Sequence, residues 1–250
     1  MVNDIDLSRR VFSCIDNTTL HATDSDASVE AFCRHTLELR PEGHLVAAVC
    51  VYPRFVSVAR RVLAGSGIRV ASVAGAFPHG QLPLELKVAE VKYAVAQGAD
   101  EVDIVLSRGL LLEGDSDGVL REVQAMKQAC QGRTLKVILE TCELPSPTLV
   151  AQASQLAIDG GADFIKTSTG KGAAGATLEA AETMLRVVAE NVKKSSKKVG
   201  FKAAGGISEP AEALDYALLA KKIMGDDYVN SQTFRIGASR LTDRLVAFLT

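Results

Sequence analysis

The chain has 250 residues, of which 47% are hydrophobic and 23% charged, with a formal net charge of −2 and a pI near 6.1. This composition is ordinary for a water-soluble globular enzyme, and its balanced charge favours neither nucleic acid nor an anionic membrane as a partner. No apolar run approaches the ~20 residues a membrane span needs, and the acidic start Met1-Val2-Asn3-Asp4-Ile5-Asp6 lacks the apolar core of a signal peptide.

Cys14, Cys33, Cys50, Cys130 and Cys142 are odd in number and never spaced as C-x-x-C, so they read as reduced thiols of a cytoplasmic protein. His21, His35, His44 and His79 show no H-E-x-x-H spacing. Neither a metal nor another cofactor is expected.

From the N-terminus onward, short β-type runs alternate with longer helical patterns, the signature of βα units and a parallel sheet. The expected strands are Phe12–Asp16, Leu45–Val51, Arg69–Ala74, Glu101–Leu106, Lys136–Glu140, Phe164–Lys166, Val199–Lys202 and Phe234–Gly237. Between them, apolar residues recur at helical spacing, as in Leu84/Val88/Val91/Val95, Val119/Leu120/Val123/Met126 and Leu178/Ala181/Leu185/Val188. Eight such units in 250 residues, with no Pro/Gly/Ser-rich linker, predict one domain over residues 1–250. Its fold is expected to be a single (β/α)8 TIM barrel with a short N-terminal helical extension. The basic run Lys193-Lys194-Ser195-Ser196-Lys197-Lys198 reads as a solvated helix end, favoured by the helix dipole.

One internal echo narrows attention. Gly98-Ala99-Asp100-Glu101-Val102-Asp103 and Gly161-Ala162-Asp163-Phe164-Ile165-Lys166 share a Gly-Ala-Asp start at a helix end, where glycine suits the left-handed C′ position. Counted from that start, Asp103 and Lys166 hold equivalent places in their strands, so both are expected to face one region. Lys202, at the end of the seventh strand, is a third candidate there. Charged groups inside an apolar strand environment are costly unless paired, which points to function. Lys166 follows the bulky Phe164 and Ile165, and desolvation by them, with the cation Lys202 nearby, would leave a neutral, nucleophilic amine. The plainer readings are a lysine that reaches solvent from a strand end, or a structural ion pair plugging the barrel mouth.

Ala203-Ala204-Gly205-Gly206-Ile207-Ser208 follows the seventh strand and Gly237-Ala238-Ser239-Arg240 the eighth. Loops in these places commonly bind phosphate through backbone N–H groups that glycine lets approach, and Ser239 and Arg240 add a hydroxyl donor and a charge. Glycine pairs also serve plain tight turns. Gly170-Lys171-Gly172-Ala173-Ala174-Gly175 matches the dinucleotide fingerprint G-x-G-x-x-G. That fingerprint belongs in an early βαβ unit with an acid on a following strand, whereas here it comes sixth and Glu190 lies in a helical pattern.

Gly161-Ala162-Asp163-Phe164-Ile165-Lys166-Thr167-Ser168-Thr169-Gly170-Lys171 resembles the Schiff-base strand of deoxyribose-phosphate aldolases. The likeness runs along nearly the whole chain, through Asp16-Asn17-Thr18-Thr19-Leu20, Cys50-Val51-Tyr52-Pro53-Arg54-Phe55, Phe77-Pro78-His79-Gly80, Gly200-Phe201-Lys202-Ala203-Ala204-Gly205-Gly206 and Arg235-Ile236-Gly237-Ala238-Ser239, in the family's order. It implies a metal-free class I aldolase of deoxyribonucleoside and deoxyribose phosphate catabolism. Such an enzyme cleaves 2-deoxy-D-ribose 5-phosphate reversibly to acetaldehyde and D-glyceraldehyde 3-phosphate. The resemblance implies Lys166 as the Schiff-base lysine, Asp103 and Lys202 as the proton-relay pair, and Asp16 and Cys50 in the substrate pocket. It implies Thr169, Gly170, Lys171, Gly205, Gly206, Gly237 and Ser239 as substrate or phosphate contacts.

The chain departs from that pattern in three places: Ala203 where many members have proline, Ser208-Glu209 where some have a basic residue, and Thr250 where some continue into a tail ending in tyrosine. The second makes Arg240 or Lys171 the expected charge partner of the phosphate. The partners implied are the phosphorylated sugar and acetaldehyde, and the sequence leaves a homo-oligomer, dimer or higher, open. Rival readings are another class I aldolase or transaldolase on the same barrel, a non-catalytic sugar-phosphate-binding barrel, and a nicotinamide oxidoreductase.

Overall fold

The computed structural model describes residues 5–195 and 198–249. Eight parallel strands pair each with the next and the last with the first: β1 (Ile15–Thr18), β2 (Ala48–Val51), β3 (Arg69–Ala74), β4 (Glu101–Val105), β5 (Thr134–Ile138), β6 (Phe164–Lys166), β7 (Gly200–Ala204) and β8 (Phe234–Ala238). The helices are α1 (Ile5–Phe12), α2 (Asp26–Glu38), α3 (Val56–Val62), α4 (Leu84–Ala96), α5 (Arg108–Leu112), α6 (Ser116–Ala129), α7 (Pro147–Asp159), α8 (Leu178–Lys194), α9 (Pro210–Met224) and α10 (Leu241–Leu249). Each strand is followed by one helix, except β4, which is followed by two. The closed barrel has no sheet edge, and none of the topological switch point at which an open doubly wound sheet binds its dinucleotide. Among the described residues, no helix is long and apolar enough to cross a membrane.

The expected (β/α)8 barrel is therefore present, with some boundaries moved. Phe12 ends α1 rather than starting a strand, and α1 is the expected N-terminal helix, packed against α9 and α10. β2 begins at Ala48, and β5 runs from Thr134 to Ile138, which puts Lys136 in mid-strand and Glu140 outside it. Leu84 and Leu178 begin their helices but are exposed, because the apolar stripe takes hold only after the first turn. Ser196 and Lys197 of the basic run lie outside the described residues, and α8 ends within the run at Lys194, with Lys193 and Lys194 in its last turn.

Local chemistry explains where the helices start. Ser25, Asp115, Ser146 and Thr177 each accept a hydrogen bond from a first-turn N–H, and Pro147 and Pro210 occupy first helical positions. Each such cap contributes about 1 kcal/mol.

The Gly-Ala-Asp echo proves to be a device for register. Gly98 and Gly161 take left-handed φ values of +102° and +100° at the ends of α4 and α7. The aspartates that follow do the same work twice. Asp100 Oδ2 accepts from Val70 N–H of β3 at 2.9 Å, and Asp163 Oδ2 from Leu135 N–H of β5 at 2.8 Å. Each carboxylate thus starts the ladder with the neighbouring strand, and Asp103 and Lys166 follow at matched heights.

Alternation divides the strand residues between two cores. Ile165, Val137, Phe201 and their like pack outward against the helices in one large cluster. A small second cluster of Leu20, Ala48, Cys50, Ala71 and Val73 forms an apolar wall inside the barrel. Much of the remaining interior is charged.

Candidate active site

Asp16 from β1, Glu101 and Asp103 from β4, Lys136 from β5, Lys202 from β7 and Arg235 from β8 are all fully buried at 0% exposure. Lys166 from β6, at 4%, is the one member of this group that also lines a cavity. The ion pairs are continuous. Asp103 Oδ2 accepts from Lys166 Nζ at 2.9 Å and from Lys202 Nζ at 2.8 Å, while its Oδ1 accepts from Lys136 Nζ at 2.8 Å. Lys136 also reaches Glu101 at 2.5 Å and Asp16 at 3.1 Å, and Lys202 and Arg235 close the ring on Asp16. Arg235 pairs with Glu101 through Nη2 at 2.7 Å, with its guanidinium 5.5 Å from the centre of the Phe164 ring.

Counting charges decides which lysine is the weak one. Four cations (Lys136, Lys166, Lys202, Arg235) face three carboxylates (Asp16, Glu101, Asp103), so one cation is in excess. Arg69 adds positive charge from the opposite rim, 3.0 Å from Glu101, although its side chain is 36% exposed and screened by solvent. Burial lowers the Lys166 pKa below the ordinary 10.5, with the Lys202 charge acting the same way and Asp103 only partly opposing them. Burial also works against Lys202 and Lys136, but their carboxylates outweigh it and hold both above 10.5. Asp103 is likewise penalised by burial, yet Lys136, Lys166 and Lys202 together drive it well below 3.8. Lys166 is the cation this cluster holds least firmly.

Of the two apolar residues before Lys166, only Phe164 shares the barrel interior with it, because Ile165 faces the helices. On the apolar wall, burial and then the Asp103 charge push the Cys50 thiol up to about 11, so it stays protonated.

Above Lys166 opens a cavity of about 280 Å3 at the C-terminal end of the strands. Its lining includes Thr169, Gly170, Lys171, Gly205, Gly206, Gly237, Ser239 and Arg240, all singled out in the sequence. Asp16, Cys50, Asp103 and Lys202 are not in the lining; they are buried, with Asp103 and Lys202 directly around Lys166.

The loops meet closely. A Cβ on Gly175 would lie 2.0 Å from the Gly205 carbonyl oxygen, so the loops after β6 and β7 touch backbone to backbone. That contact accounts for the last glycine of the dinucleotide-like match. A Cβ on Gly237 would lie 2.9 Å from Lys202 Cε, so this glycine makes room for the lysine as well as shaping the loop. Arg240 is exposed and makes no ion pair among the described residues, whereas Lys171 Nζ donates to the Leu20 carbonyl at 2.7 Å. Glu209, in the departing Ser208-Glu209 pair, is held by Arg244.

The sequence reading did not assign Glu101, Lys136 or Arg235 to the site, nor Glu140, which accepts from Thr169. The first three were visible as charges among apolar strand residues, but a strand charge reads the same whether it faces in or out.

Over residues 10–239 the chain matches the family model described as DeoC/LacD family aldolase. Among solved structures, the aldolase QR15 superimposes with a TM-score of 0.77 at 30% identity, covering 100% of this chain and 97% of its own. A protein from Coccidioides immitis, provisionally named a deoxyribose-phosphate aldolase, gives 0.82 at 29% identity, covering 96% and 85%. The tetrameric deoxyribose phosphate aldolase of Aeropyrum pernix gives 0.74 at 24% identity, covering 99% and 97%, a likeness of fold.

Proposed function

The chain belongs to the DeoC/LacD aldolase family, and we propose that it is a class I deoxyribose-phosphate aldolase working through an imine on Lys166. One observation supports this reading: the cation the buried cluster holds least firmly is also the one that lines the cavity. An amine that loses its proton readily is a nucleophile, and each unit of lowered pKa corresponds to about 1.4 kcal/mol favouring the neutral form.

In the proposed reaction, Lys166 Nζ attacks C1 of open-chain 2-deoxy-D-ribose 5-phosphate, and loss of water leaves a protonated imine. Acetaldehyde takes C1 and C2, so the bond that breaks is C2–C3. Its electrons flow into the imine to give an enamine, while the C3 hydroxyl gives up its proton and becomes the aldehyde of glyceraldehyde 3-phosphate. The enamine then takes a proton at C2, and hydrolysis frees acetaldehyde and Lys166.

Asp103, held ionised by three ammonium groups, is a poor resting place for a proton. Its part is to orient the water that accepts the C3 proton, while Lys202, charged at rest, gives a proton to C2 and is recharged by the one the water received, so the relay closes without net loss. The apolar wall around Cys50 and Val73 suits the methyl-forming carbon. The glycine loops, Ser239 and Arg240 hold the phosphate at the far end, so remote binding positions the reacting carbons. Catabolism of deoxyribose phosphate in the cytoplasm, by a homo-oligomer, is the setting this reading implies.

The test is chemical. Borohydride added with acetaldehyde or deoxyribose 5-phosphate should trap a covalent adduct on Lys166, and the enzyme should release acetaldehyde from the sugar phosphate. An adduct that survives Lys166→Leu, or a requirement for a dihydroxyacetone-type donor, overturns the proposal.

A further inference from the structure

Just beyond β5 the chain turns through Glu140, whose backbone is left-handed (φ 52°, ψ 63°), a conformation side chains other than glycine, asparagine and aspartate rarely adopt. Its side chain is 1% exposed, and no cation pairs with it among the described residues. Both features are unfavourable, and both sit at the C-terminal end of a barrel strand, where these folds carry their functional side chains.

What the carboxylate binds is the loop over the cavity. Glu140 Oε2 accepts from Thr169 N–H at 3.2 Å and from the Thr169 hydroxyl, and Oε1 faces Cys142 Sγ at 3.7 Å. A hydroxyl has one hydrogen and two lone pairs. The Thr169 hydrogen is taken by Glu140, and one lone pair by Lys171 N–H at 3.0 Å. The capacity left on Thr169, which lines the cavity beside Lys166, is one lone pair that can only accept.

We propose that Glu140 is a positioning residue that fixes the direction of the Thr169 hydroxyl, and thereby makes the cavity select acceptor aldehydes carrying a hydroxyl on the neighbouring carbon. This rests on the aldolase reading in one respect, namely that an aldehyde is joined to or released from an enamine on Lys166. Glu140 Oε2, accepting from both the Thr169 N–H and the Thr169 hydroxyl, keeps the hydroxyl proton away from the cavity. A substrate hydroxyl then finds an acceptor, whereas a carbonyl or phosphate oxygen at that point finds no donor.

The experiment measures carbon–carbon bond formation from acetaldehyde with two acceptors, glyceraldehyde 3-phosphate and 3-oxopropyl phosphate, which lacks the neighbouring hydroxyl. The variants are Glu140→Gly, for which the left-handed backbone is at home, Glu140→Gln, and Thr169→Val alone and combined with Glu140→Gly. The expected result is that Glu140→Gly lowers the kcat/KM preference for the hydroxylated acceptor about tenfold or more. It should cost about twofold or less when Thr169 is already valine. Borohydride trapping of acetaldehyde, which needs no acceptor, should match wild type in Glu140→Gly and Glu140→Gln. An unchanged preference in both Glu140→Gly and Glu140→Gln, or losses that multiply in the double variant, overturns the proposal. So does loss of trapping in the Glu140 variants alone, which would make the residue merely structural. Absence of trapping in wild type instead falls on the aldolase reading, and the positioning role falls with it.

Discussion

Lys166 and Lys202 stand directly opposite each other in the pairing of β6 with β7, and both donate to the same oxygen of Asp103, at 2.9 and 2.8 Å. Two ammonium groups on one carboxylate oxygen cannot both be fully neutralised. Lys202 has a second carboxylate in Asp16, and Lys166 has none among the described residues. The asymmetry selects Lys166 to lose its proton and keeps Lys202 charged.

Lys202→Met tests that division. The variant should lose kcat by about 100-fold or more, as expected for removal of a positioned proton donor. The Lys202 charge lowers the Lys166 pKa, so removing it should also move the ascending limb of the kcat/KM–pH profile to higher pH. An unshifted limb would show that Lys202 does not act on Lys166.

Gly237→Ala tests the close approach of β8 to Lys202. The added methyl would sit 2.9 Å from Lys202 Cε, closer than real Cβ atoms come, and 3.0 Å from Ala204 Cβ, tighter than most. A displacement approaching 1 Å at the lysine should cost up to ~100-fold in kcat. Borohydride trapping on Lys166 should persist, because the imine forms on the neighbouring strand. Wild-type kcat in this variant would mean that Lys202 has room to spare.

Arg240→Ala should raise KM for deoxyribose 5-phosphate by roughly tenfold, in the range of one exposed charged hydrogen bond. Its KM for unphosphorylated deoxyribose should stay unchanged. Equal effects on both sugars would remove Arg240 from phosphate binding and leave Lys171 and the loop amides to hold it.

Acid should unfold the protein through its interior. Burial opposes the charge of Asp16, Glu101 and Asp103, but the surrounding lysines and Arg235 more than offset it and lower all three below the ordinary 3.8 and 4.5. A carboxylate with a lowered folded pKa contributes stability that is complete above its unfolded pKa and is lost as pH falls through the folded one. Urea denaturation should therefore give a flat midpoint between about pH 6 and 8 and a fall below about 4.5 that steepens with further acid. A midpoint holding level to pH 3 would refute this.

The strand order was legible because the strands of a parallel barrel are covered on both faces and stand out as apolar runs between helical patterns. The pairing of Asp103 with Lys166 was legible for a narrower reason: the repeated Gly-Ala-Asp places both at one height, and Asp100 and Asp163 lock that height through β3 and β5. Lys136 is hidden in the sequence because the apolar run places its strand at Lys136–Glu140, two residues later than β5, and so at a strand end where a charge is unremarkable. Arg235 was read only as part of a motif. Glu140 carried no local signal, since a left-handed glutamate looks like any other in one dimension.

The sequence by itself determined that eight βα units follow one another, that a lysine ends the sixth strand, and that glycine loops follow the seventh and eighth. Tertiary structure decided which charges share the barrel interior and in what proportion. Asp103 meets Lys166 across 63 residues of chain and Lys202 across 99, and closure of the sheet is what sets those partners within 3 Å. The depressed pKa of Lys166 comes from that sum of neighbours and from exclusion of water, and it exists only once the barrel is closed.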